Sequence, residues 1–528
     1  MQKETQEMGV SRHDFLKLGL LGGASLLLPA GRLTQAILAD EVPSSPTFPP
    51  FQRPLPIAPT LVPSARDATA DHYAVTMRPA LAQILPDPKL KTPVWTYNGL
   101  YPGPTFQVLR GRTVQVRQTN MLPEATSVHL HGAVVDGNSD GHPMDLIPPG
   151  GIKVYTYPNT EHLNPDRQSA RTQWYHDHAI DGTGSHVYRG LAGFYLIHDD
   201  MEHELQLPSG AYDIPLVIQD RRFNADGSLF FPPFPGFASE NGVFGDTIVV
   251  NGVMQPFLHV EPRRYRFRVL NGSNARQYEL ALSSGQPLLQ IATEGGLLPA
   301  PVERSSLFIA QGERYEFIVD FTGQQGSHIV LRNLNGQSSA ELNGQNSTDE
   351  ILRFDVVLPL RGHDTSAALT ASTPMRPIAR IPESAATVTR HFRFQRHEGM
   401  WAINRLFFDK TLARVDANPR TGDVEIWELE NASGGWTHPI HIHLINFQIL
   451  DRNGAPPEPG EAGWKEVVLL HHNETVRVIM QWYDVPAGPE RTDGRDFKNK
   501  YVFDCQNLEH EDHMMMGEIW VDYYYFGM

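Results

Sequence analysis

From Arg66 onward, apolar and polar residues alternate in runs of four to eight, broken by Gly, Pro and Asn. Thr113-Val114-Gln115-Val116-Arg117, Tyr265-Arg266-Phe267-Arg268-Val269-Leu270, Tyr315-Glu316-Phe317-Ile318-Val319-Asp320 and Thr475-Val476-Arg477-Val478-Ile479-Met480 are the clearest of these runs. A period of two is the signature of a strand with one face buried, so the pattern predicts antiparallel sheets. Helical periodicity is scarce. An apolar strand followed by a strand with spaced histidines and a turn occurs near 104–132 and again near 423–443. That echo suggests repeated β-barrel domains. The polar segment 333–349 reads as a surface excursion and the Pro-rich stretch 361–385 as a linker, which places domains at 66–205, 206–365 and 380–528.

The first 40 residues stand apart. Lys3 and Arg12 precede an apolar run from Phe15 to Leu28, which has the form of an export signal and is too short for a membrane span. Ser11-Arg12-His13-Asp14-Phe15-Leu16-Lys17 resembles a twin-arginine signal with His13 in place of the second arginine. The expectation is a bacterial protein, periplasmic or secreted, with no membrane span in the mature chain.

Composition narrows the classes further. The 528 residues are too many for one ordinary domain, and 40% hydrophobic with 20% charged is globular. The 42 Pro and 44 Gly suit short strands joined by turns. A net charge of −16 without a basic block argues against nucleic acid and anionic membranes as partners. One cysteine excludes intrachain disulfides, zinc ribbons and CxxC redox chemistry.

The histidines carry the chemistry. His129-Leu130-His131 projects two imidazoles from one strand face, and His176-Asp177-His178 repeats the spacing. His438-Pro439-Ile440-His441-Ile442-His443 is a third group. The lone thiol, Cys505, has His510 and Met515 five and ten residues on. Two imidazoles, a thiolate and a weak thioether make an electron-transfer copper site, with His438, Cys505 and His510 as strong ligands and Met515 axial. Zinc is the rival, but a redox-innocent ion makes little use of the other imidazole clusters. Those clusters offer places for further coppers at which dioxygen is reduced.

Together, His129-Leu130-His131-Gly132, Trp174-Tyr175-His176-Asp177-His178, the 438–443 group and the Cys505 segment resemble the four copper signatures of multicopper oxidases. Trp436-Thr437-His438-Pro439 and Leu508-Glu509-His510-Glu511-Asp512 are most similar to the bilirubin oxidase and bacterial laccase branch. The resemblance spans about residues 70–525. It implies an all-β chain of three cupredoxin-like Greek-key β-sandwich domains, with a type 1 copper in the third and a trinuclear cluster between the first and third. It further implies that His129 and His441 bind the type 2 copper, and that His131, His176, His178 and His443 bind the type 3 pair. Asp140 and Glu511 match the family's acidic residues beside the cluster, where four protons are needed per dioxygen. The implied activity is one-electron oxidation of phenols, aromatic amines, tetrapyrroles or metal ions coupled to reduction of dioxygen to water.

One motif departs from the family. Its cysteine is flanked by two type 3 histidines; this chain has Asp504-Cys505-Gln506. Asp504 is a hard anionic donor that favours Cu(II), whereas Gln506 offers only a neutral amide oxygen. Three readings follow: an oxidase with a modified cluster, a type 1 electron-transfer or copper-binding protein without dioxygen reduction, or a decaying copy. Copper stoichiometry separates the first two. Trp436 is expected to pack against His438, while Met514 and Met516 pack rather than bind. His471, His472 and His513 are expected on the surface. Sequons at Asn271, Asn346, Asn431 and Asn473 matter only in a eukaryotic secretory pathway.

Overall fold

The computed structural model describes residues 42–159, 170–233, 241–482 and 495–522. The export-signal reading of residues 1–40 falls outside the described residues. Among the latter, no helix is long and apolar enough to cross a membrane.

The alternating runs become strands at nearly their expected places: Thr113–Asn120, Arg264–Asn271, Arg314–Asp320 and Thr475–Gln481. Among the described residues the strands form six sheets that pair into three cupredoxin-like β-sandwiches. In the first, a sheet built on Ala70–Ala82, Thr113–Asn120 and Ile152–Tyr157 faces one built on Val128–His131, Arg171–Asp177 and Ala192–His198. The second stacks a seven-stranded on a five-stranded sheet, and the third a five-stranded on a four-stranded one. Each sandwich encloses its own apolar core, and that of the third is rich in aromatics, with Trp401, Trp427 and Trp482 fully buried. Burying each such ring contributes about 2–3 kcal/mol relative to exposure.

Several strands are buried on both faces, and two of the longer ones carry histidines. All seven residues of Arg171–Asp177 and all five of His438–Ile442 are buried. One face of each strand meets its own core while the other is covered by a neighbouring sandwich, so neither face is left to solvent. Register then aligns the motifs: His129 lies opposite His176, and His441 opposite Asp504. The echo between 104–132 and 423–443 is thus structural, because in both places the histidine strand pairs antiparallel with a second donor-bearing strand.

Buried ion networks tie the sandwiches together. Arg268 donates to Glu202 (3.0 Å), Asp213 (2.8 Å) and Glu316 (3.0 Å), joining the first sandwich to the second. Lys465 Nζ sits 2.9 Å from Glu294, 3.0 Å from Glu313 and 3.0 Å from the Tyr315 hydroxyl, joining second to third. Removing one partner from such a network costs about 3–5 kcal/mol, since the remaining charge stays buried.

Several local expectations change. His471 and His472 are exposed, but His513 is buried at 6% exposure. It ends the short helix Leu508–Asp512, and the left-handed turn at Met514 folds the chain back over it. Burial lowers the His513 pKa to about 4. Asn271, Asn346 and Asn431 are buried, so three of the four sequons are closed to glycosylation. The 333–349 excursion is anchored at its end, where Asn346 Nδ2 donates to Thr247 (2.9 Å).

Candidate metal centre

Cys505 ends the strand Lys500–Cys505, His438 begins His438–Ile442, and His510 lies on the helix Leu508–Asp512. The Cys505 Sγ is 3.4 Å from His438 Nδ1 and 3.7 Å from His510 Nδ1, and the two nitrogens are 3.2 Å apart. A point equidistant from the three donors lies about 2 Å from each, an ordinary metal–imidazole bond length. His438 Nε2 is held by the Ser433 hydroxyl at 2.9 Å, which aims Nδ1 inward. Trp401 lies tilted over His510 with centroids 4.0 Å apart and meets both His438 and Trp436 edge-on, so the ring beside His438 is Trp401, and Trp436 packs on that ring. Met515 is fully buried in the same core cluster as Cys505, with Met516 also buried. Burial raises the pKa of the Cys505 thiol, so forming the thiolate here calls for a cation.

Six further histidines, all at most 1% exposed, converge between the first and third sandwiches. His129 Nδ1 contacts the Asp140 carbonyl (2.6 Å) and His441 Nδ1 the Glu466 carbonyl (3.0 Å). A carbonyl only accepts, so both Nδ1 atoms carry the proton. The two Nε2 lone pairs therefore face each other at 3.3 Å, an arrangement that a shared cation relieves. His176 repeats the logic: Nδ1 donates to the Asp177 carbonyl (2.9 Å), leaving Nε2 3.4 Å from His131 Nδ1. His443 Nε2 and His178 Nε2 lie 3.4 and 3.9 Å from Asp504 Oδ1. Neither nitrogen, nor that oxygen, has a hydrogen-bond partner. Burial holds the pKa values of His129, His131, His176 and His441 well below the usual imidazole value and takes that of His178 to about 4. Neutral imidazoles are the ligand form, so these five histidines suit metal ions.

Both acidic residues read from the sequence are here. Asp140 is fully buried at the end of the turn Gly137–Asp140, and its Oδ2 accepts from His443 Nδ1 at 2.7 Å. Burial lowers the pKa of His443, but Asp140 and Asp504 outweigh it and raise the value to about 9. Gly141 allows this turn: at φ +84° its Cβ would lie 2.2 Å from the Val128 carbonyl. Glu511 Oε1 is 3.2 Å from His178 Nδ1, and burial, then Asp504 and Asp512, push its pKa well above the usual carboxylate range.

Residues 80–202, 224–352 and 380–523 each match a multicopper oxidase family model. The chain belongs to the multicopper oxidase family. It is 38% identical to a bilirubin oxidase of Albifimbria verrucaria, over 90% of this chain and 81% of that one. A laccase of Bacillus subtilis is 36% identical, over 89% and 98% respectively. The crystal structure of a laccase from Pediococcus acidilactici superposes with a TM-score of 0.76 at 28% identity, covering 91% of this chain and 95% of that one. This multicopper oxidase is therefore a copper-dependent oxidoreductase.

One residue of the centre was not legible beforehand. Glu466 is fully buried, and its Oε1 lies 3.4 Å from His131 Nε2. The only signal is the Lys465-Glu466 pair interrupting the apolar run Trp464 to Leu470.

A supporting contact behind the cluster sets a pH dependence. Asp177, between His176 and His178, accepts from His186 Nδ1 at 2.7 Å, and His186 Nε2 is 3.2 Å from Glu124. Burial opposes protonation of His186, yet Asp177 and Glu124 prevail and lift its pKa from 6.5 to about 9. A pKa raised by folding adds stability that is complete below pH 6.5 and lost as pH rises through about 9. The melting-temperature gap between wild type and His186→Gln should be widest below pH 6.5 and shrink toward pH 9–10. A gap that stays constant over that range would remove His186 protonation as its cause.

Proposed function

We propose that the chain is a laccase- or bilirubin-oxidase-type enzyme. It takes single electrons from a phenol, aromatic amine, tetrapyrrole or metal ion at the Cys505 site and delivers them to dioxygen at the histidine cluster. Four such oxidations, with four protons, turn one dioxygen into two waters. The observation that carries this reading is the junction at Asp504-Cys505. Cys505 belongs to one buried donor set and Asp504 to the other, so a single peptide unit connects them. Bound copper supplies the one-electron redox chemistry.

The protein's own groups have distinct tasks. His438, Cys505 and His510 would hold the electron-entry copper, with the Met515 thioether as a further, weaker donor. Their burial keeps water off the ion and limits rearrangement between its two oxidation states. His129 and His441 would hold one ion of the cluster, and His131, His176, His178 and His443 the other two. Asp140 orients His443 through its 2.7 Å hydrogen bond and lies on the path by which protons reach the cluster. Glu511, 3.2 Å from His178 Nδ1 and with its pKa raised by burial, is the second candidate proton donor beside the cluster. The apolar run at 15–28 supports export to the periplasm or medium.

Oxygen uptake by copper-loaded protein tests the reading, with 2,6-dimethoxyphenol, an aromatic diamine, bilirubin and ferrous ion as separate donors. Uptake of one dioxygen per four electrons from at least one donor, without accumulation of hydrogen peroxide, is the expected result. No uptake with any of the four would overturn it.

A further inference from the structure

Five of the six cluster histidines hold their rings in one way. Nδ1 of His129, His176 and His441 faces a backbone carbonyl, that of His443 donates to Asp140, and that of His178 lies 3.2 Å from Glu511. Each turns Nε2 inward. His131 is inverted. Its Nδ1 is the inward atom, 3.4 Å from His176 Nε2, while its Nε2 points away, 3.4 Å from Glu466 Oε1. Ring packing does not account for the inversion. His441 stacks on His131 with centroids 3.6 Å apart, and Trp174 lies tilted against it at 5.2 Å. These contacts fix the plane of the ring but not which edge faces the cluster.

Glu466 supplies what the packing lacks. A neutral imidazole carries one proton, on one nitrogen. With that proton on Nδ1, the Nε2 lone pair would face a buried carboxylate. With it on Nε2, the N–H faces the carboxylate and the Nδ1 lone pair is left for a metal. All three sandwiches contribute to holding this carboxylate. Glu466 precedes the strand Val467–Leu470 of the third, and Arg314, which opens Arg314–Asp320 of the second, makes an ion pair with Oε1. Arg314 is itself anchored, with Nε donating to the Thr172 carbonyl of the first (3.0 Å) and Nη1 to that of Gly312 (2.8 Å). Space for the carboxylate comes from Gly132, directly after His131. A Cβ there would sit 2.9 Å from Glu466 Oε2, and the φ of +90° disfavours any other residue.

We propose that Glu466, clamped by Arg314, is a positioning residue that acts through His131: it keeps the proton on Nε2 and so commits Nδ1 to the cluster metal. Glu466 itself binds no metal. A carboxylate behind a ligand imidazole also makes the other nitrogen more basic, which strengthens its bond to the ion. The inversion has a geometric use. Nδ1 stands one atom nearer the backbone than Nε2, so His129 and His131, on one strand face, present their donors at different depths and serve different ions. The effect is largest at the ion shared by His131 and His176, because Gln506 stands where the family has a third imidazole. The inference rests on the oxidase reading for the identity of the metal as copper, but it concerns binding rather than turnover.

Copper affinity separates this role from a purely structural one. Chelator competition on full-length, copper-loaded protein should show one cluster copper held about 10–100-fold less tightly in Glu466→Gln than in wild type, with the thiolate-to-copper band unchanged. An uncharged amide can turn either its oxygen or its NH2 to Nε2, so the tautomer is no longer imposed. Glu466→Gln also leaves Arg314 buried without its partner and should lower the apo melting temperature. The double variant Glu466→Gln/Arg314→Gln removes both charges, and it serves alone if the single variant does not fold. It should recover much of the apo melting temperature while the copper stays weakly held. Wild-type affinity in either variant would overturn the proposal and leave Glu466 as the ion-pair partner of Arg314. Added to His131→Gln, the same pair of changes should release no further copper; a further loss would mean that Glu466 acts by a route other than His131 and would overturn the proposal too. Copper weakened as expected, with no oxygen uptake by wild type, would uphold the positioning role and refute the oxidase reading. Copper bound by wild type only at Cys505 would refute both.

Discussion

Cys505→Ser should convert a blue protein into a colourless one and reduce donor oxidation by more than about 100-fold, the loss that even an outer partner of a metal ligand produces. The thiolate is the sole anionic sulfur donor of its site, since the chain has one cysteine. A serine hydroxyl is not ionised by a neighbouring copper to the same degree, and it provides no low-energy sulfur-to-metal charge transfer. The substitution removes no volume that matters. Position 505 is fully buried, and a hydroxyl there stands between the His438 and His510 nitrogens, either of which can hydrogen-bond to it. The fold should therefore survive, and the absorption spectrum with steady-state oxidation reads the loss directly. Persistent blue colour in the serine variant would mean that the thiolate-to-copper chromophore lies elsewhere.

Asp140→Asn should slow reoxidation of the reduced protein by about 100-fold while leaving the blue band unchanged, within the usual range for losing a positioned proton donor. The side chain is nearly isosteric, and its oxygen can still accept from His443 Nδ1 at 2.7 Å. What disappears is the negative charge and the capacity to hold a proton. Asp140 is fully buried and its Oδ1 has no hydrogen-bond partner. The Cys505 set does not include Asp140, hence the separation between spectrum and rate. Stopped-flow mixing of reduced variant with oxygenated buffer gives the rate, and a rate equal to wild type would remove Asp140 from proton delivery.

Much of this centre is written in short-range spacing. His-x-His in a strand places both rings on one face, and Cys505, His510 and Met515 are brought together by a strand end and one short helix. Local geometry settles such groups, so the residues alone announce them. The half-buried strands were equally legible, because one wet face leaves a period of two, as in Thr113–Asn120. Arg171–Asp177 was legible only through its histidines, since a strand covered on both faces has no period to read. Glu466 was hidden for a different reason. It lies 335 positions from His131 in the chain (466 − 131), and it reaches the cluster only because the third sandwich packs on the first. His513 misled for the same reason, because a polar residue at the end of a short helix reads as surface until the chain folds over it.

The departure at Asp504-Cys505-Gln506 makes dioxygen reduction the claim most in need of a direct test. Copper-loaded protein is reduced without air until the blue band is gone, and air is then admitted while the band is followed. Return of the full blue absorption within seconds, with uptake of dioxygen and no peroxide, is the result expected of a cluster that works with Asp504 and Gln506 beside Cys505. A band that stays bleached in air, in protein holding its full complement of copper, would contradict it.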